Sequence, residues 1–388
     1  MYRDLKRIAV IVTHPIQYYS PVFKLLADHE YVTLKVFYTL GQSNVIDLGF
    51  NQKIEWDIPL LNGYDHEFLI NSSKVAGSHH YKGVVNPQII DRIEAFDPNI
   101  IMVYGWSYES HWKTMKYFNG TVPIWFRGDS TLIDEQSYLK KMARKIILSI
   151  VYRKINKAFY VGQQNKDYFS SYGLKSTQLV HAPHAVDNNR FSEDRSKETE
   201  HLRVSLGLGD QDILILFAGK LESKKNPLLL LSAFLKIDQS NLHLLFVGNG
   251  VLEESLKSLA KNNESKKVHF LDFQNQTQMP VVYQACDLFC LPSKGPAETW
   301  GLAVNEAMAA GRAILVSHRV GCGIDLVEDG RNGYTFESEN ELDLINKIEL
   351  LYADKYLLTE MGRNSYEKIR PWSFENQVKS IISELEKI

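Results

Sequence analysis

Two glutamates eight positions apart, Glu298 and Glu306, are the side chains whose type and spacing most clearly suggest chemistry. Glu298 follows the apolar run 288–292, which reads as a buried strand, and Glu306 lies in an Ala- and Met-rich stretch that predicts a helix. In such a unit, the loop and the helix N-terminus face the carboxyl edge of the sheet, where ligands bind. Backbone N–H groups there attract phosphate, and carboxylates accept hydrogen bonds from hydroxyl groups. These residues therefore predict a nucleotide-sugar site.

The segment from Pro296 to Gly311 resembles the Glu-x7-Glu motif of retaining glycosyltransferases of the family 4 type (glycosyl transferases group 1). Two glutamates at this spacing also arise by chance, but here the flanking strand, the aromatic-Gly-Leu step and the Glu-Ala-Met-Ala-Ala-Gly run follow the family's order. The resemblance implies that Glu298 is catalytic and that Glu306 binds the donor. It adds four donor-binding candidates between them: Thr299, Trp300, Gly301 and Leu302.

A lysine-rich loop resembles the same family's Gly-Arg-Leu-x-x-x-Lys-Gly pattern, with Lys220 in the Arg position and Lys225 in the Lys position. Cations placed there would stabilise the negative charge that develops on a leaving diphosphate, in place of a divalent metal. The ammonium of Lys220 is a point charge, whereas the arginine guanidinium of the family's pattern can donate two hydrogen bonds to one phosphate. The geometry of phosphate binding would therefore differ. A solvated basic turn is the alternative. The resemblance makes both lysines catalytic candidates and implies neither a metal nor a cofactor.

Three other positions resemble the family's donor site: Gly219, Gly248 and Phe273. Glycine lets the backbone come close to a ligand. Phe273 could stack on a nucleobase, although a place in the core is slightly favoured. No Gly-x-Gly-x-x-Gly follows the first predicted strand, which disfavours an NAD-dependent enzyme.

The first half lacks the Gly-Gly loop of many relatives and resembles a bacterial subfamily whose chains begin with a His-Pro-Ile-Gln-Tyr-Tyr motif, here residues 14–19. The segment 56–64 also fits that subfamily. In the first half of this chain, polar and aromatic residues cluster at the ends of the predicted strands. The acceptor-side candidates are His14, Trp106, Arg127 and Asp129. A structural role is the alternative for each of them.

Short apolar runs alternate with amphipathic stretches through the chain, which is typical of α/β folds with parallel sheets. The strand candidates are Arg7–Thr13, Val32–Tyr38, Glu67–Ile70, Ile100–Tyr104, Pro123–Phe126, Ala158–Val161, Gln178–His181, Ile213–Ala218, Leu242–Val247, Val268–Leu271, Leu288–Pro292 and Ala313–Val316. The polar stretch 192–212 is the linker candidate. The resemblance implies the GT-B architecture of two facing Rossmann-like domains. Residues 1–190 would bind the acceptor and 191–371 the nucleotide sugar, and a helix over 372–388 would cross back to the first domain.

Chain length and composition limit the kinds of protein that this chain can be. A chain of 388 residues favours two domains, and a net charge of −2 gives no argument for nucleic acid. Three cysteines are too few for a disulfide framework and are expected to pack as small apolar residues. The N-terminus shows no signal-peptide pattern, and no stretch approaches the ~18 apolar residues that span a bilayer. A cytoplasmic location is expected, including the cytoplasmic face of the inner membrane.

Seven Lys and Arg residues and no acid lie between Lys140 and Lys157, interleaved with apolar residues. A basic amphipathic helix of this kind can lie on an anionic membrane. The alternative is a buried helix with a solvated basic face.

The resemblance implies a retaining enzyme that transfers a hexosyl unit from a nucleotide-diphosphate sugar to a saccharide or lipid-linked saccharide hydroxyl, in bacterial cell-surface polysaccharide or glycolipid assembly. Two alternatives belong to other classes. A GT-B-fold sugar-nucleotide epimerase would lack the glutamate and lysine pairs as a set, and a non-catalytic nucleotide-sugar-binding protein would lack one pair.

Overall fold

The computed structural model describes residues 5–40, 46–47, 52–53, 56–133, 137–263 and 267–388, with backbone only at 46–47 and 52–53. Its strands are β1 (Lys6–Val12), β2 (Val32–Tyr38), β3 (Ile46–Asp47), β4 (Gln52–Lys53), β5 (Asp65–Phe68), β6 (Ile100–Tyr104), β7 (Ile124–Arg127), β8 (Lys157–Tyr160), β9 (Leu179–His181), β10 (Ile213–Ala218), β11 (Leu242–Val247), β12 (Lys267–Leu271), β13 (Leu288–Leu291), β14 (Ala313–Ser317) and β15 (Gly333–Phe336).

The α-helices occupy the connections between most of these strands. They are α1 (Ser20–Ala27), α2 (Ile89–Phe96), α3 (Glu109–Tyr117), α4 (Tyr138–Tyr152), α5 (Gln163–Ser171), α6 (Asn188–Ser192), α7 (Ser196–Ser205), α8 (Pro227–Lys236), α9 (Glu253–Lys261), α10 (Met279–Ala285), α11 (Leu302–Ala309), α12 (Gly323–Leu326), α13 (Glu341–Tyr352), α14 (Lys355–Ile369) and α15 (Phe374–Leu385).

The chain forms two compact units, each built on a parallel sheet, as the sequence predicts. Unit 1 comprises Met1–Asn44, Pro59–His184 and Phe374–Ile388, and unit 2 comprises Val45–Ile58 and Ala185–Ser373. The predicted boundary at 190/191 therefore lies six residues too late. Residues 185–190 belong to unit 2 because α6 packs on α10 and α11 and buries Phe191.

Unit 1 has the strand order β5-β2-β1-β6-β7-β8-β9, and all its strands are parallel. The order reverses between β1 and β6, which is where open α/β sheets bind ligands. Helix α15 belongs to this unit and packs on α1. Its buried apolar residues recur at helical spacing: Phe374, Val378, Ile381, Ile382 and Leu385.

Unit 2 has the strand order β12-β11-β10-β13-β14-β15, again parallel. Its order reverses between β10 and β13. The short strands β3 and β4 form a separate antiparallel pair in the segment 45–58. The strand candidates from the sequence do not include β3, β4 and β15. Strands β3 and β4 are two residues long, which is too short to show a period.

The predicted linker 192–212 is wrong as a linker, because it carries α7, which packs on α10. Arg203 of this helix donates to the carbonyls of Ala285 (2.7 Å) and Asp212 (2.7 Å) and pairs with Asp287 at 3.1 Å. These contacts make the stretch part of unit 2.

The three cysteines, Cys286, Cys290 and Cys322, are free and buried, as expected from the sequence. Burial raises the pKa of the Cys286 thiol to about 12, so it packs as a neutral side chain. Within the described residues, no helix is both long and apolar enough to cross a membrane.

Candidate functional site

The carboxyl edge of the unit 2 sheet gathers the candidates of the second half. Lys220 and Lys225 lie in the loop between β10 and α8, and Glu298 lies in the loop between β13 and α11. Strands β10 and β13 are paired in parallel, so these loops leave the sheet side by side at the point where the strand order reverses. The residues that the sequence motifs single out thus meet at one place.

An ion pair joins the two loops. The Lys225 ammonium donates to both carboxylate oxygens of Glu298, at 2.9 Å to Oε2 and 3.2 Å to Oε1. The Ser293 hydroxyl, at the end of β13, donates to Oε2 at 3.1 Å. Glu298 is only 9% exposed, and a carboxylate so far from water requires such partners. The pair therefore holds a cation at a fixed place on the sheet edge.

The loop after β14 fixes the backbone on either side of Thr299, directly after Glu298. The Gly321 amide donates to the Glu298 carbonyl at 3.1 Å, and the Cys322 amide donates to the Trp300 carbonyl at 2.9 Å. A Cβ on Gly321 would lie 1.9 Å from the Thr299 carbonyl oxygen, so only glycine permits this approach. Thr299 is half-buried between these two anchored residues.

The start of α11 supplies N–H donors next to the ion pair. Gly301 caps the helix with a φ of 97°, a left-handed conformation that favours glycine. Leu302 and Ala303 form the first turn and are half-buried, so solvent and ligands can reach them. Because the first amides of a helix have no helical carbonyl partner, they attract anionic groups.

Glu306 lies farther along α11 and is 5% exposed. The Tyr283 hydroxyl of α10 donates to its Oε2 at 2.8 Å. This bond fixes the orientation of the carboxylate. The role of Glu306 as an acceptor for donor hydroxyl groups stays a prediction.

The side chain of Trp300 packs inside unit 2, and the predicted role of this residue in donor binding stays a prediction. Its indole is buried, donates to Asn305 Oδ1 at 2.8 Å and packs against Trp372 at 5.2 Å between ring centroids. Trp300 therefore stabilises the loop between β13 and α11 through packing contacts.

The two glycine turns after β10 and β11 pack backbone against backbone. A Cβ on Gly248 would lie 2.3 Å from the Gly219 carbonyl oxygen, and Gly248 has a φ of 125°. A larger residue at 248 would push the lysine loop away from the sheet edge. Both glycines thus shape the candidate donor site without offering it a side chain.

Phe273 is half-buried at the end of β12, outside the core that the sequence slightly favoured for it. Asn249, after β11, accepts a hydrogen bond from the Phe273 amide at 2.8 Å and donates to Asp272 Oδ1 at 3.0 Å. An aromatic ring held in this way, and reachable by solvent, could cover one side of a base.

The segment 45–58 brings Trp56 and Asp57 to unit 2, whereas the sequence assigned them to the first domain. The Trp56 ring lies 6.3 Å from that of Phe273 at an interplanar angle of 66°. Asp57 accepts hydrogen bonds from the Thr277 amide at 3.1 Å and from the Thr277 hydroxyl. Sequence reasoning missed this placement because the partners stand more than 200 positions apart in the chain, where local periodicity carries no signal.

In unit 1, three of the four acceptor-side candidates line one pocket of about 280 Å³. Trp106, Arg127 and Asp129 belong to its wall, with Tyr19 and Tyr104. The wall residues follow β1, β6 and β7, so the pocket lies at the point where this sheet's order reverses. His14 is exposed and does not line the pocket.

Arg127 makes the contacts of a structural residue, which was the alternative that the sequence left open for it. Its guanidinium is 2% exposed and donates to the carbonyls of Ala182 (2.9 Å) and Pro183 (3.3 Å) and to Gln377 Oε1 of α15 (3.2 Å). Burial lowers its pKa. Arg127 thus anchors the terminal helix to the sheet of unit 1.

His111 of α3 is buried behind the same pocket. Its Nδ1–H donates to the Gly105 carbonyl at 2.8 Å, which leaves Nε2 to accept from the Thr39 hydroxyl at 2.9 Å. Desolvation lowers its pKa to about 4, so it is neutral near pH 7. It fixes the turn after β6.

Among the described residues, no group of three or more His, Cys, Asp or Glu side chains is arranged to hold a metal ion. Lys220 and Lys225 bring positive charge to the loop of the candidate donor site.

Residues 198–368, which carry all of the lysine and glutamate positions described above, match the family Glycosyl transferases group 1. The match covers 171 of the 388 residues, all within unit 2, and confirms the sequence resemblance to this family there. The relatives include an N,N'-diacetylbacillosaminyl-diphospho-undecaprenol alpha-1,3-N-acetylgalactosaminyltransferase of Campylobacter jejuni, 27% identical over 60% of the chain and 61% of the relative. The chain spans about half to two thirds of the length of the curated relatives it matches.

Two solved structures show that the fold is that of the GT-B glycosyltransferases. Sucrose-phosphate synthase from Thermosynechococcus elongatus superimposes with a TM-score of 0.75 at 17% identity, covering 98% of each chain. HepE of Anabaena, solved in complex with UDP, superimposes with a TM-score of 0.74 at 15% identity, covering 98% of this chain and 100% of HepE. Both confirm the predicted fold class.

Proposed function

We propose that this chain is a retaining glycosyltransferase of group 1. It moves a hexosyl unit from a nucleotide-diphosphate sugar to a saccharide hydroxyl. The reaction serves the assembly of a bacterial cell-surface polysaccharide or glycolipid. The observation that carries the proposal is the Lys225–Glu298 ion pair beside the first turn of α11. The structure of HepE with bound UDP supports a nucleotide donor by analogy of fold.

In the proposed reaction, Lys225 and Lys220 contact the diphosphate of the donor. The bond between the sugar's anomeric carbon and the phosphate oxygen breaks, and the charge that develops on that oxygen is stabilised by the two ammonium groups and the α11 amides. The acceptor oxygen bonds to the anomeric carbon on the same face, and its proton passes to the leaving phosphate. Glu298 holds Lys225 in place and offers an acceptor to the sugar hydroxyls.

We place the acceptor at the pocket of unit 1 lined by Trp106 and Asp129. Aromatic and carboxylate side chains suit a sugar, since one packs on its apolar face and the other accepts from its hydroxyls. The name of the Campylobacter relative describes a diphospho-undecaprenol acceptor, which favours a lipid-linked saccharide here as well.

Thermal unfolding with a panel of nucleotide sugars tests the donor assignment. A bound donor raises stability by mass action, about 2.7 kcal/mol at 100 times its dissociation constant. Lys225→Gln should lose the stabilisation that one member of the panel gives the wild type.

The matched control is Lys224→Gln, which changes the adjacent lysine, itself 3.5 Å from Glu222. It should retain the stabilisation. Equal stabilisation of both variants, or no response of the wild type to any nucleotide sugar, would contradict the proposed donor site.

A further inference from the structure

Helix α4 directs most of its large apolar side chains away from the protein. Leu148, Val151 and Tyr152 pack into the core of unit 1 and are at most 4% exposed. At about 100° per residue, the opposite side of the helix carries a second apolar face. We call this face the α4 ridge; it comprises Tyr138, Leu139, Met142, Ile146, Ile147 and Ile150, which are 47% to 77% exposed.

A surface helix normally presents polar residues to water and keeps its apolar stripe for the core. The ridge reverses this arrangement over the full length of α4. Contiguous apolar patches of this kind mark sites where another apolar surface binds. The exposed α4 ridge is therefore a candidate binding surface.

Cations border the ridge. Lys140 and Lys145 lie at its two edges on the helical projection, and no acidic residue occurs from Ser137 to Lys157. Beside the N-terminal half of α4, Lys141, Arg144 and Lys145 line an open pocket of about 530 Å³ whose wall is otherwise mostly apolar. An apolar strip edged by lysines matches the boundary between the acyl chains and the phosphates of an anionic bilayer.

We propose that α4 lies in the surface of an anionic membrane, with the ridge inserted among the acyl chains and Lys140 and Lys145 on the lipid phosphates. Lys141, on the other side of the helix, adds to the attraction through its charge near the surface. A second copy of the chain fits the ridge less well. Two such helices face to face would bring like-charged edges together without an acid on either helix, and such contacts are repulsive.

This docking is independent of the reaction proposed above and differs from simple electrostatic adsorption. Adsorption through lysines alone disappears at high salt, because the Debye length falls to about 3 Å at 1 M. Insertion of the ridge retains an apolar contribution that salt does not screen. Salt dependence and the ridge side chains thus probe two separable parts of the interaction.

Flotation of the full chain with vesicles of phosphatidylglycerol and phosphatidylcholine in equal parts tests the proposal. The variant Leu139→Asn/Met142→Asn/Ile146→Asn/Ile150→Asn should partition at least about 100-fold more weakly than the wild type, because inserted apolar groups supply most of the binding. A control with exposed apolar residues of unit 2 changed, Leu259→Asn/Leu342→Asn/Leu350→Asn/Tyr356→Asn, should float like the wild type.

The lysines are tested in the same assay. Lys140→Gln/Lys141→Gln/Lys145→Gln should weaken binding by about 100-fold at low salt, from ~1 kcal/mol per lysine. The control Lys197→Gln/Lys261→Gln/Lys379→Gln removes the same charge elsewhere and should change binding by less than about 10-fold. Circular dichroism and thermal unfolding confirm that each variant is folded.

Three results would overturn the proposal. The wild type could remain at the bottom of the gradient, the ridge variant could float as the wild type does, or light scattering could show a dimer that the ridge variant breaks. The last result would identify a second copy of the chain as the occupant of the ridge.

Discussion

The Lys225 ammonium lies 2.9 Å from Glu298 Oε2, across 73 positions of sequence. The sequence motifs mark these residues separately, as one cation for phosphate and one carboxylate for the sugar. Their direct contact means that each sets the position of the other. Side chains coupled in this way act as a unit, so their substitutions are not additive.

Replacing either member of this pair should nearly abolish transfer. Loss of one preorganised charge contact costs ~10²–10³ in rate, so Lys225→Ala and Glu298→Ala should each fall by that factor while the fold persists. The double variant should lose little more than either single one, because the pair acts together. Initial rates of nucleoside diphosphate release measure this, and Lys224→Ala is the control. Near-wild-type turnover by either single variant would refute the assigned roles.

Transfer should continue in EDTA. Lys220 and Lys225 supply positive charge at the candidate diphosphate site, so the proposed mechanism requires no divalent ion there. The measurement is the transfer rate before and after chelation, with manganese and magnesium added back. An enzyme that stops in EDTA and recovers with either metal would show that this assignment of charge is wrong.

The fold was largely predictable from the sequence because alternating apolar runs and amphipathic stretches encode a parallel α/β sheet locally. The runs at Ile213–Ala218 and Leu242–Val247 became β10 and β11 with the same bounds. The lysine and glutamate positions were predictable because each lies within one short motif.

Long-range contacts were not predictable from such patterns. Nothing near Trp56 or Asp57 indicates that they contact Phe273 and Thr277, and nothing near Arg127 indicates that Gln377 would be its partner. Arginine after a strand suggested a ligand contact, whereas burial and three acceptors give it a structural role. Tertiary packing decides such cases, and a single sequence does not display it.

Arg127→Leu should therefore destabilise unit 1. It leaves the Ala182 and Pro183 carbonyls and the Gln377 amide oxygen without their donor, and unsatisfied buried acceptors cost about 1–3 kcal/mol each. We expect a clear fall in the unfolding temperature. Arg153→Leu, at an exposed arginine, should change stability by no more than about 0.5 kcal/mol. An Arg127→Leu protein that keeps the wild-type unfolding temperature but loses activity would restore the acceptor-side role.

Stability should fall in mild acid through His111. Its pKa is about 4 in the folded protein and about 6.5 in the unfolded chain, so between these values the unfolded chain binds a proton that the folded protein excludes. His111 makes no contribution to the pH dependence of stability above pH ~6.5. Below that pH, the free energy of unfolding decreases as pH falls toward ~4. The decrease is at most ~1.4 kcal/mol per pH unit.

His111→Gln should reduce that pH dependence, measured by denaturant unfolding from pH 7 to pH 4. A residual slope is expected because burial also lowers the pKa of His184. If the variant and the wild type have the same slope, His111 does not titrate in the manner that its burial implies.

Proton NMR of the transferred sugar tests the proposed retaining transfer at the Lys225–Glu298 edge of unit 2. The sugar leaves its nucleotide donor and is transferred to water or to a short acceptor. We expect the wild type to release nucleoside diphosphate together with a sugar of the donor's own anomeric configuration, observed before mutarotation. Glu298→Gln should release neither. An inverted anomer would contradict retention. An epimerised sugar would indicate an epimerase, and an unchanged donor after prolonged incubation with acceptor would indicate a binding protein without transferase activity.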